Sequence, residues 1–137
     1  MKLSLKSEYA CLALIDLAQH FKKGLRTTAQ IAEKQEIPKK FLEQILLAIK
    51  NGGYLQSSKG KGGGYWLVKD PKKITLAEII RLMDGSLAPI TSVSKNFYKP
   101  SPILKHKPLL RVFQDIRDYT ANKLEKTTFG KLIQVKR

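Results

Sequence analysis

The chain is poor in cysteine and has no long apolar run. Cys11 is the single cysteine among 137 residues, and one cysteine cannot form a disulfide within a chain, which favours a reducing compartment. A membrane-spanning helix requires roughly 20 consecutive apolar residues, and Glu8, Asp16 and Gln19 interrupt the partly apolar start of this chain. We interpret that start as a helix of the mature protein rather than as a signal peptide. The sequence therefore predicts a cytoplasmic protein with no membrane partner.

Acidic residues are also scarce. Asp and Glu together number 11 against 26 Lys and Arg, for a formal net charge of +15. The excess runs along the whole chain, because 15 basic and 8 acidic residues fall in positions 1–94, and 11 and 3 fall in positions 95–137. Basic residues interleaved with apolar residues at helical or strand spacing indicate a folded positive surface. We expect a nucleic acid as the partner; a membrane surface or a merely solubilising surface is the weaker alternative.

Side chains that could hold a metal or act as catalysts are few. His20 and His106 have no ligand spacing with each other, and Cys11 lies among apolar neighbours that favour a packing role. There is no Ser-His-Asp set, and Asp115 and Asp118 fall on a predicted long helix, where we expect them to face solvent. The sequence therefore predicts no enzyme, no cofactor and no metal site. A metal bound by Cys11 or His106 at a dimer interface is the remaining alternative.

The clearest helical pattern runs from Pro38 to the glycine pair at 52–53, which we expect to supply a left-handed stop. At roughly 100° per residue its apolar side chains fall on one side of the helix, and Leu47 is an exception on the polar side. The apolar side consists of Phe41, Leu42, Ile45, Leu46, Ala48 and Ile49. A shorter helix before it begins at a capping box of Thr27 and Gln30. Two helices joined by a short turn, the second with a polar outer face, predict a helix-turn-helix.

Two more helices flank this motif. The first helix of the chain starts after Ser4 or Ser7, and we expect it to end at Gly24. Another helix starts at a second capping box, formed by Thr75 and Glu78. Together these patterns predict four helices in the first 85 residues.

A β-hairpin is predicted between the third and fourth helices, where KGKGGG joins the runs YLQSS and YWLVK. The loop lacks the string of a P-loop, and the strand-like sequence after it argues against a dinucleotide-binding turn. Its glycines allow positive φ and close approach of the main chain to another molecule, and Lys59 and Lys61 add positive charge. We therefore interpret the hairpin as a wing that contacts phosphates, with a plain flexible turn as the alternative.

Aromatic residues beside this hairpin suggest a second use. Tyr54, Tyr65 and Trp66 lie near basic residues and could stack on RNA bases. We favour core packing instead, because one face of the hairpin must cover the helices.

A long amphipathic helix is predicted from Pro108 onward. The preceding residues, 86–107, contain three prolines and four serines and keep no period, so we interpret them as a loop with a helical turn near Ile103. One apolar stripe follows the long helix and consists of Leu109, Val112, Phe113, Ile116, Thr120 and Leu124. An exposed stripe of this length would be a liability in a monomer, so we predict a homodimer that forms through these residues.

Several stretches of this pattern resemble the winged-helix regulators of the Rrf2 family. The most specific are EYACLALIDLA at 8–18, IP followed by LEQIL at 37–46, and GKGGGY at 60–65. The likeness covers residues 1–85 closely and the rest in outline. The resemblance implies a homodimeric transcription factor whose third helix reads the major groove and whose wing enters the minor groove. It also implies that the long C-terminal helices pair across the two-fold axis.

The resemblance assigns candidate DNA contacts. They are Thr28 on the second helix, Lys39, Lys40, Phe41, Glu43 and Gln44 on the third helix, and Lys59, Gly60, Lys61 and Gly62 on the wing. The chemistry agrees, because glutamine can pair with an adenine edge, glutamate can accept from cytosine, and lysine can reach guanine or phosphate. For Glu43 and the lysines of the helix, an ordinary solvated surface is the alternative.

The chain departs from the family where several members bind an iron–sulfur cluster. Those members carry three cysteines between the fourth helix and the long helix, and this chain has none there. We therefore expect a cluster-free regulator whose effector, if it has one, is a small molecule or a protein.

The predicted fold is mainly α-helical with a small β-hairpin wing. It divides into a winged helix-turn-helix DNA-binding domain at 1–85, a loop or linker at 86–107, and a dimerisation helix with a C-terminal tail at 108–137. The predicted function is sequence-specific regulation of transcription by a homodimer on a palindromic or nearly palindromic operator. A nonspecific RNA- or ribosome-associated protein is the alternative.

Overall fold

The computed structural model of the protein describes residues 3–95 and 98–134, without the side chain of Thr91. Its helices and strands are α1 (Leu5–Gln19), α2 (Thr28–Gln35), α3 (Lys39–Asn51), β1 (Leu55–Ser58), β2 (Gly64–Leu67), α4 (Leu76–Asp84), α5 (Lys107–Lys126) and α6 (Phe129–Gln134). The two strands pair antiparallel. The predicted fold class, mainly α with one hairpin, is confirmed. None of the helices in the described ranges is long and apolar enough to cross a membrane.

Side-chain caps fix where three of the helices begin. Ser4 caps α1 by accepting a hydrogen bond from the backbone N–H three residues later, at 3.1 Å. Thr27 and Gln30 form the predicted capping box of α2, with bonds of 2.9 and 3.1 Å. Thr75 and Glu78 form the predicted box of α4, with backbone bonds of 2.8 and 3.2 Å. These local signals were sufficient because a cap involves only residues three apart in the chain.

Helix α1 ends earlier than its pattern predicts. The last helical residue is Gln19, and the expected end at Gly24 is wrong by one turn. The backbone N–H of His20 binds the carbonyls of the preceding turn, and Lys22 has a left-handed φ of 61°. The chain therefore leaves the helix through a tight turn before it reaches the glycine.

The ends of α3 also differ slightly from the prediction. Pro38 is the residue before the helix, and Lys39 is the first helical residue. At the other end Gly53 has the left-handed φ of 91°, whereas Gly52 has a φ of −75°, so only one of the two glycines supplies the stop. A Cβ at Gly52 would lie 3.0 Å from a methyl group of Leu82 and 3.3 Å from the carbonyl oxygen of Ile49, so Gly52 occupies a closely packed position.

The core lies where α1, α3 and α4 meet the hairpin. Its most buried large side chains include Leu14, Leu17, Ile31, Leu42, Ile45, Leu46, Ile49, Leu55, Ile74, Ile79 and Phe129. Phe129 comes from α6, and its backbone N–H donates to the carbonyl of Ile74 at 2.9 Å. The last helix thus packs into the same core as the first four helices. The boundaries at residues 85 and 107 stay predictions.

A buried ion pair connects α1 to the hairpin. Asp16 is completely buried, and its carboxylate accepts hydrogen bonds from Nε and Nη2 of Arg26 at 2.8 and 3.1 Å. The backbone of Arg26 exchanges two 2.8 Å hydrogen bonds with Tyr65 in β2. The pair therefore holds the hairpin against the first helix, in a position that the helical periodicity does not predict.

The stretch before α5 is partly packed. A 3-10 turn at Pro102–Lys105 confirms the predicted turn near Ile103, and a further turn at Thr91–Val93 was not predicted. Leu87 and Val93 are buried, and Leu87 joins a small cluster on α4. The buried apolar side chains explain why this proline-rich segment lies against the body of the protein.

Candidate nucleic-acid interface

A three-residue turn joins α2 to α3. Glu36 ends α2 in the left-handed region with a φ of 55°, and its backbone N–H returns to the carbonyl of Ala32. Ile37 follows and is only 4% exposed. The buried Ile37 and the turn at Glu36 set the angle between the two helices, as a helix-turn-helix requires.

Helix α3 divides cleanly into a buried and an exposed side. Leu42, Ile45, Leu46 and Ile49 are at most 1% exposed. The exposed side carries the predicted contacts Lys39, Lys40, Glu43 and Gln44. Burial on one side therefore forces these polar side chains outward.

Phe41 and Leu47 of α3 are apolar and exposed. Phe41 was placed on the apolar side of α3, yet it is 36% exposed, and its ring meets the edge of Tyr9 with centroids 5.5 Å apart. Phe41 is therefore outside the buried core, and its place among the candidate DNA contacts stays a prediction. Leu47 is 51% exposed, in agreement with its position on the polar side.

The tip of the hairpin is a tight turn carrying two lysines. Gly60 and Gly62 have φ values of 91° and 82°, and a Cβ at either would meet nothing within 4 Å. These glycines are therefore needed for backbone conformation. Lys59 and Lys61 are both exposed beside them. The turn presents positive charge on a backbone conformation that residues other than glycine would adopt only with strain.

The next two glycines serve internal packing. A Cβ at Gly63 would lie 2.3 Å from the carbonyl oxygen of Ser58, and one at Gly64 would lie 2.5 Å from that of Arg26. The sequence suggested that the glycine run lets the main chain approach another molecule. For this pair, the close neighbour is the chain itself.

A crevice of about 330 Å³ separates α3 from the hairpin. Three of the predicted contacts line it, namely Thr28, Lys59 and Gly60. Leu47 and Lys50 of α3 and Ser57 and Ser58 of β1 also line it. The other predicted contacts lie outside it, on the exposed start of α3 and at the tip of the hairpin. Sequence reasoning missed Lys50, Ser57 and Ser58 as possible contacts. No local sequence pattern identifies these three residues, because the crevice that they line forms only when the hairpin folds back beside α3.

The aromatic residues of the hairpin have different surroundings. Tyr54 and Tyr65 pack partly buried against the core. The hydroxyl of Tyr54 donates to Glu78 at 3.0 Å, and burial together with this carboxylate raises the pKa of Tyr54 to about 12. Trp66 is half-buried in a surface groove with Leu25, outside the main core. Core packing thus holds for the two tyrosines but not for Trp66.

The apolar stripe of α5 divides into two parts. Leu109, Val112 and Ile116 are 49%, 53% and 40% exposed. Tyr119, which the predicted stripe did not include, is 74% exposed. Phe113 and Thr120 are half-buried, and Leu124 packs against the cluster of Ala77, Ile80 and Leu87 in its own chain. Helix α5 therefore uses its C-terminal half for the body of the protein and exposes apolar side chains along its first three turns.

Histidine and cysteine side chains do not converge. His20 Nδ1 lies 2.8 Å from the backbone carbonyl of Asp16, and His106 is the residue before α5. Burial and the negative charge of Asp84 raise the pKa of the Cys11 thiol to about 11, so it is a protonated thiol at neutral pH. Within residues 3–95 and 98–134 there is no group of three or more potential ligands that could hold a metal ion.

A family model named Rrf2 and described as an iron-dependent transcriptional regulator matches residues 3–135. The chain belongs to the Rrf2 family. The resemblance inferred from its motifs is confirmed. The relatives that align with this chain are named as transcriptional regulators, in agreement with the prediction that the protein is not an enzyme. The side chains within residues 3–95 and 98–134 do not fit the iron in the family's description, because Cys11 is the one cysteine of the chain and no group of three or more potential ligands forms there.

Two named relatives align with the first part of this chain. IscR of Photorhabdus laumondii is 39% identical over 87 residues, which cover 64% of this chain and 53% of that protein. CymR of Bacillus subtilis is 33% identical over 90 residues, which cover 66% of this chain and 65% of that protein. The chain thus spans between about half and two thirds of the length of these relatives.

Solved structures match the whole fold. The structure of B. subtilis CymR, titled the global cysteine regulator of that organism, has a TM-score of 0.79 at 27% identity and covers 100% of this chain and 99% of its own. The structure of T. potens IscR has a TM-score of 0.71 at 26% identity and covers 100% of this chain and 93% of its own. The architecture of helices and wing is therefore that of these Rrf2 regulators.

Proposed function

We propose that the protein is a cytoplasmic, sequence-specific DNA-binding regulator of transcription that acts as a homodimer. The observation that carries this proposal is the juxtaposition of two exposed elements. The polar side of α3 and the lysine-tipped hairpin border one crevice, which contains Thr28, Lys59 and Gly60. Family membership supports the same function.

The dimensions of α3 suit the major groove. An α-helix with its side chains is about 10–12 Å across, which matches a groove about 12 Å wide. The 13 residues of α3 extend about 20 Å along the groove at roughly 1.5 Å per residue. Glu43 and Gln44 are exposed, and neither side chain makes a hydrogen bond or an ion pair within residues 3–95 and 98–134. Gln44 would pair with an adenine edge and Glu43 would accept from cytosine, while Lys39, Lys40 and Phe41 contact the adjoining backbone and base edges. The wing lysines would contact phosphates or a narrow minor groove.

The exposed side of α5 supports dimerisation. Leu109, Val112 and Ile116 form an apolar surface on one helix of a strongly basic protein. A second copy of the same helix is the simplest cover for such a surface, because a two-fold axis brings identical patches together. A dimer with two equivalent α3 helices would bind two half-sites separated by about 34 Å or a multiple of it. The operator is therefore a palindrome or close to one.

Selectivity tests this function against nonspecific binding to RNA or ribosomes. We expect the purified protein to enrich a defined motif from randomised duplex DNA and to bind it about a thousandfold more tightly than random duplex. Equal affinity for random DNA and RNA would reject the proposal.

Matched substitutions then locate the contacts. Gln44→Ala is expected to cost about 1–3 kcal/mol in discrimination at particular base pairs, because one bidentate pair is lost. Lys59→Ala and Lys61→Ala are expected to weaken binding to all sequences and to reduce the salt dependence by about one counterion each. Lys123→Ala, at an exposed position near the end of α5, is the control. If all four variants changed specific and random binding equally, the assignment of α3 and the wing would be wrong.

A further inference from the structure

We propose that the crevice between α3 and the hairpin is a seat for one phosphate of the DNA backbone, with Leu47 against the adjoining deoxyribose. This inference rests on the proposed function and adds a binding subsite to it. Lys50 and Lys59 would neutralise the phosphate, and the hydroxyl groups of Thr28 and Ser57 would donate hydrogen bonds to it. Of these residues, Lys50, Leu47 and Ser57 were not among the predicted contacts.

Charge is the first argument for an anion. The residues around the crevice include two lysines, Lys50 and Lys59, and the hydroxyl-bearing residues Thr28, Ser57 and Ser58, and none of them is acidic. The larger groove between α4 and α5 differs, because Asp118 and Glu125 there accompany its arginines. Two ammonium groups with hydroxyl donors and no carboxylate form a suitable set for phosphate oxygens.

The path of a double helix is the second argument. If α3 occupies a major groove and the wing occupies the neighbouring minor groove, one sugar-phosphate backbone must pass between them. The space between the two elements is this crevice, and on its hairpin side the backbone of Gly60 faces open space, because an added Cβ there would meet nothing within 4 Å. Gly60 therefore leaves room for a chain of phosphates and sugars to approach. Thr28 is the first residue of α2, so the positive end of that helix also borders the seat.

Leu47 supplies the third argument. It is a large apolar side chain, 51% exposed, on the otherwise polar side of α3, and it borders the crevice. The carbons of a deoxyribose would cover it, whereas the 2′-hydroxyl of a ribose would place a polar group against it. The seat therefore prefers a DNA backbone to an RNA backbone of the same charge.

The test uses the duplex that wild-type protein selects from a randomised pool. Single methylphosphonate linkages, which remove one negative charge each, are placed in turn along that duplex. We expect neutralisation at one linkage per half-site to weaken wild-type binding about tenfold. In Lys50→Ala, binding to the unmodified duplex should be weakened by a similar factor, and the same linkage should have little further effect.

Controls separate this inference from the proposed function. Lys123→Ala removes an equal charge elsewhere and should leave the response to every linkage unchanged, and Lys50→Arg should restore binding. Leu47→Ala should reduce the preference for DNA over an RNA duplex of the same sequence by several-fold. Lys50 and Leu47 are surface positions, and unchanged thermal unfolding of each variant verifies that the fold is intact.

The outcomes are distinct. If Lys50→Ala binds like wild type, or if no linkage depends on Lys50, the phosphate seat is wrong while selective binding and the effect of Gln44→Ala uphold the proposed function. If wild-type protein enriches no duplex at all, both proposals fail. Coupling of Lys50 to one linkage per half-site, with the DNA preference dependent on Leu47, supports the seat.

Discussion

Helices α3 and α5 are both amphipathic, yet they expose opposite kinds of surface. Helix α3 buries Leu42, Ile45, Leu46 and Ile49 almost completely and leaves charged and amide groups outside. Helix α5 has no fully buried residue among those described and leaves Leu109, Val112, Ile116 and Tyr119 outside. The rest of the same chain buries most of the apolar side of α3. It buries the apolar side of α5 only in part.

This difference indicates two kinds of partner. A polar exposed side on a basic protein suits a polyanion, because lysine and amide groups stay hydrated until a charged partner arrives. An apolar exposed side suits another protein surface, because water is released from both when they meet. The same helical period therefore has two uses, and the use depends on which side the body of the protein covers.

The largest expected loss of stability comes from a substitution on the buried side of α3. Leu46→Ala removes a side chain that is 0% exposed and should lower the free energy of unfolding by about 2–5 kcal/mol. Leu109→Ala makes the same change at a side chain that is 49% exposed in α5, and in a single chain it should cost less than about 1 kcal/mol. Urea denaturation at a low protein concentration measures both. Equal losses would contradict the contrast between the two helices.

The second prediction addresses the exposed side of α5. Ile116→Glu places a carboxylate on the apolar surface, which a second copy would have to bury without a partner. We expect the dissociation constant of the dimer to rise by about 100-fold or more. Asn122→Glu adds the same charge at another exposed position of α5 and is the matched control. Sedimentation over a range of concentrations measures both variants.

Two results of that experiment would contradict the comparison. One is a wild-type protein that is monomeric at micromolar concentration. The other is an equal effect of Ile116→Glu and Asn122→Glu, which would indicate that charge alone, rather than the apolar surface, controls association.

The smallest expected effect concerns α4, which packs against both α3 and α5. Burial opposes ionisation of Glu78, but hydrogen bonds from the Thr75 backbone and the Tyr54 hydroxyl outweigh it and lower the pKa of this carboxyl below its ordinary 4.5. Because the pKa is lower in the folded state, the stabilisation is complete above pH 4.5 and is lost as the pH falls through the folded value. Denaturant midpoints from neutral pH to pH 3 should therefore decline less steeply in Glu78→Gln than in wild type. A parallel decline would show that Glu78 does not link folding to pH.

Much of the fold was predictable because its signals are local. The capping boxes at Thr27 and Thr75 depend on residues three apart, and the buried side of α3 follows from helical period alone. The end of α1 was not predictable in this way, because the chain turns at His20 and Lys22 before any glycine occurs. The position of Trp66 likewise depends on tertiary structure, because Trp66 lines a surface groove together with Leu25 of a distant loop.

The candidate site was predictable only in its two separate parts. Lysines and glycines at 59–62 and the polar side of α3 are visible in the sequence. The crevice between them is not visible, because Lys50 and Ser57 become neighbours only when the hairpin folds back. The roles of all these residues in DNA contact stay predictions.

By itself the sequence determined the order of the helices, the hairpin, the caps and the excess of positive charge, since these depend on neighbouring residues or on composition. Tertiary structure alone decided that Asp16 meets Arg26, that Phe129 completes the core and that Leu124 turns inward while Val112 stays exposed. The physical reason is that burial of a side chain depends on what the rest of the chain places over it. Periodicity shows which residues share a side of a helix but not which part of that side is covered.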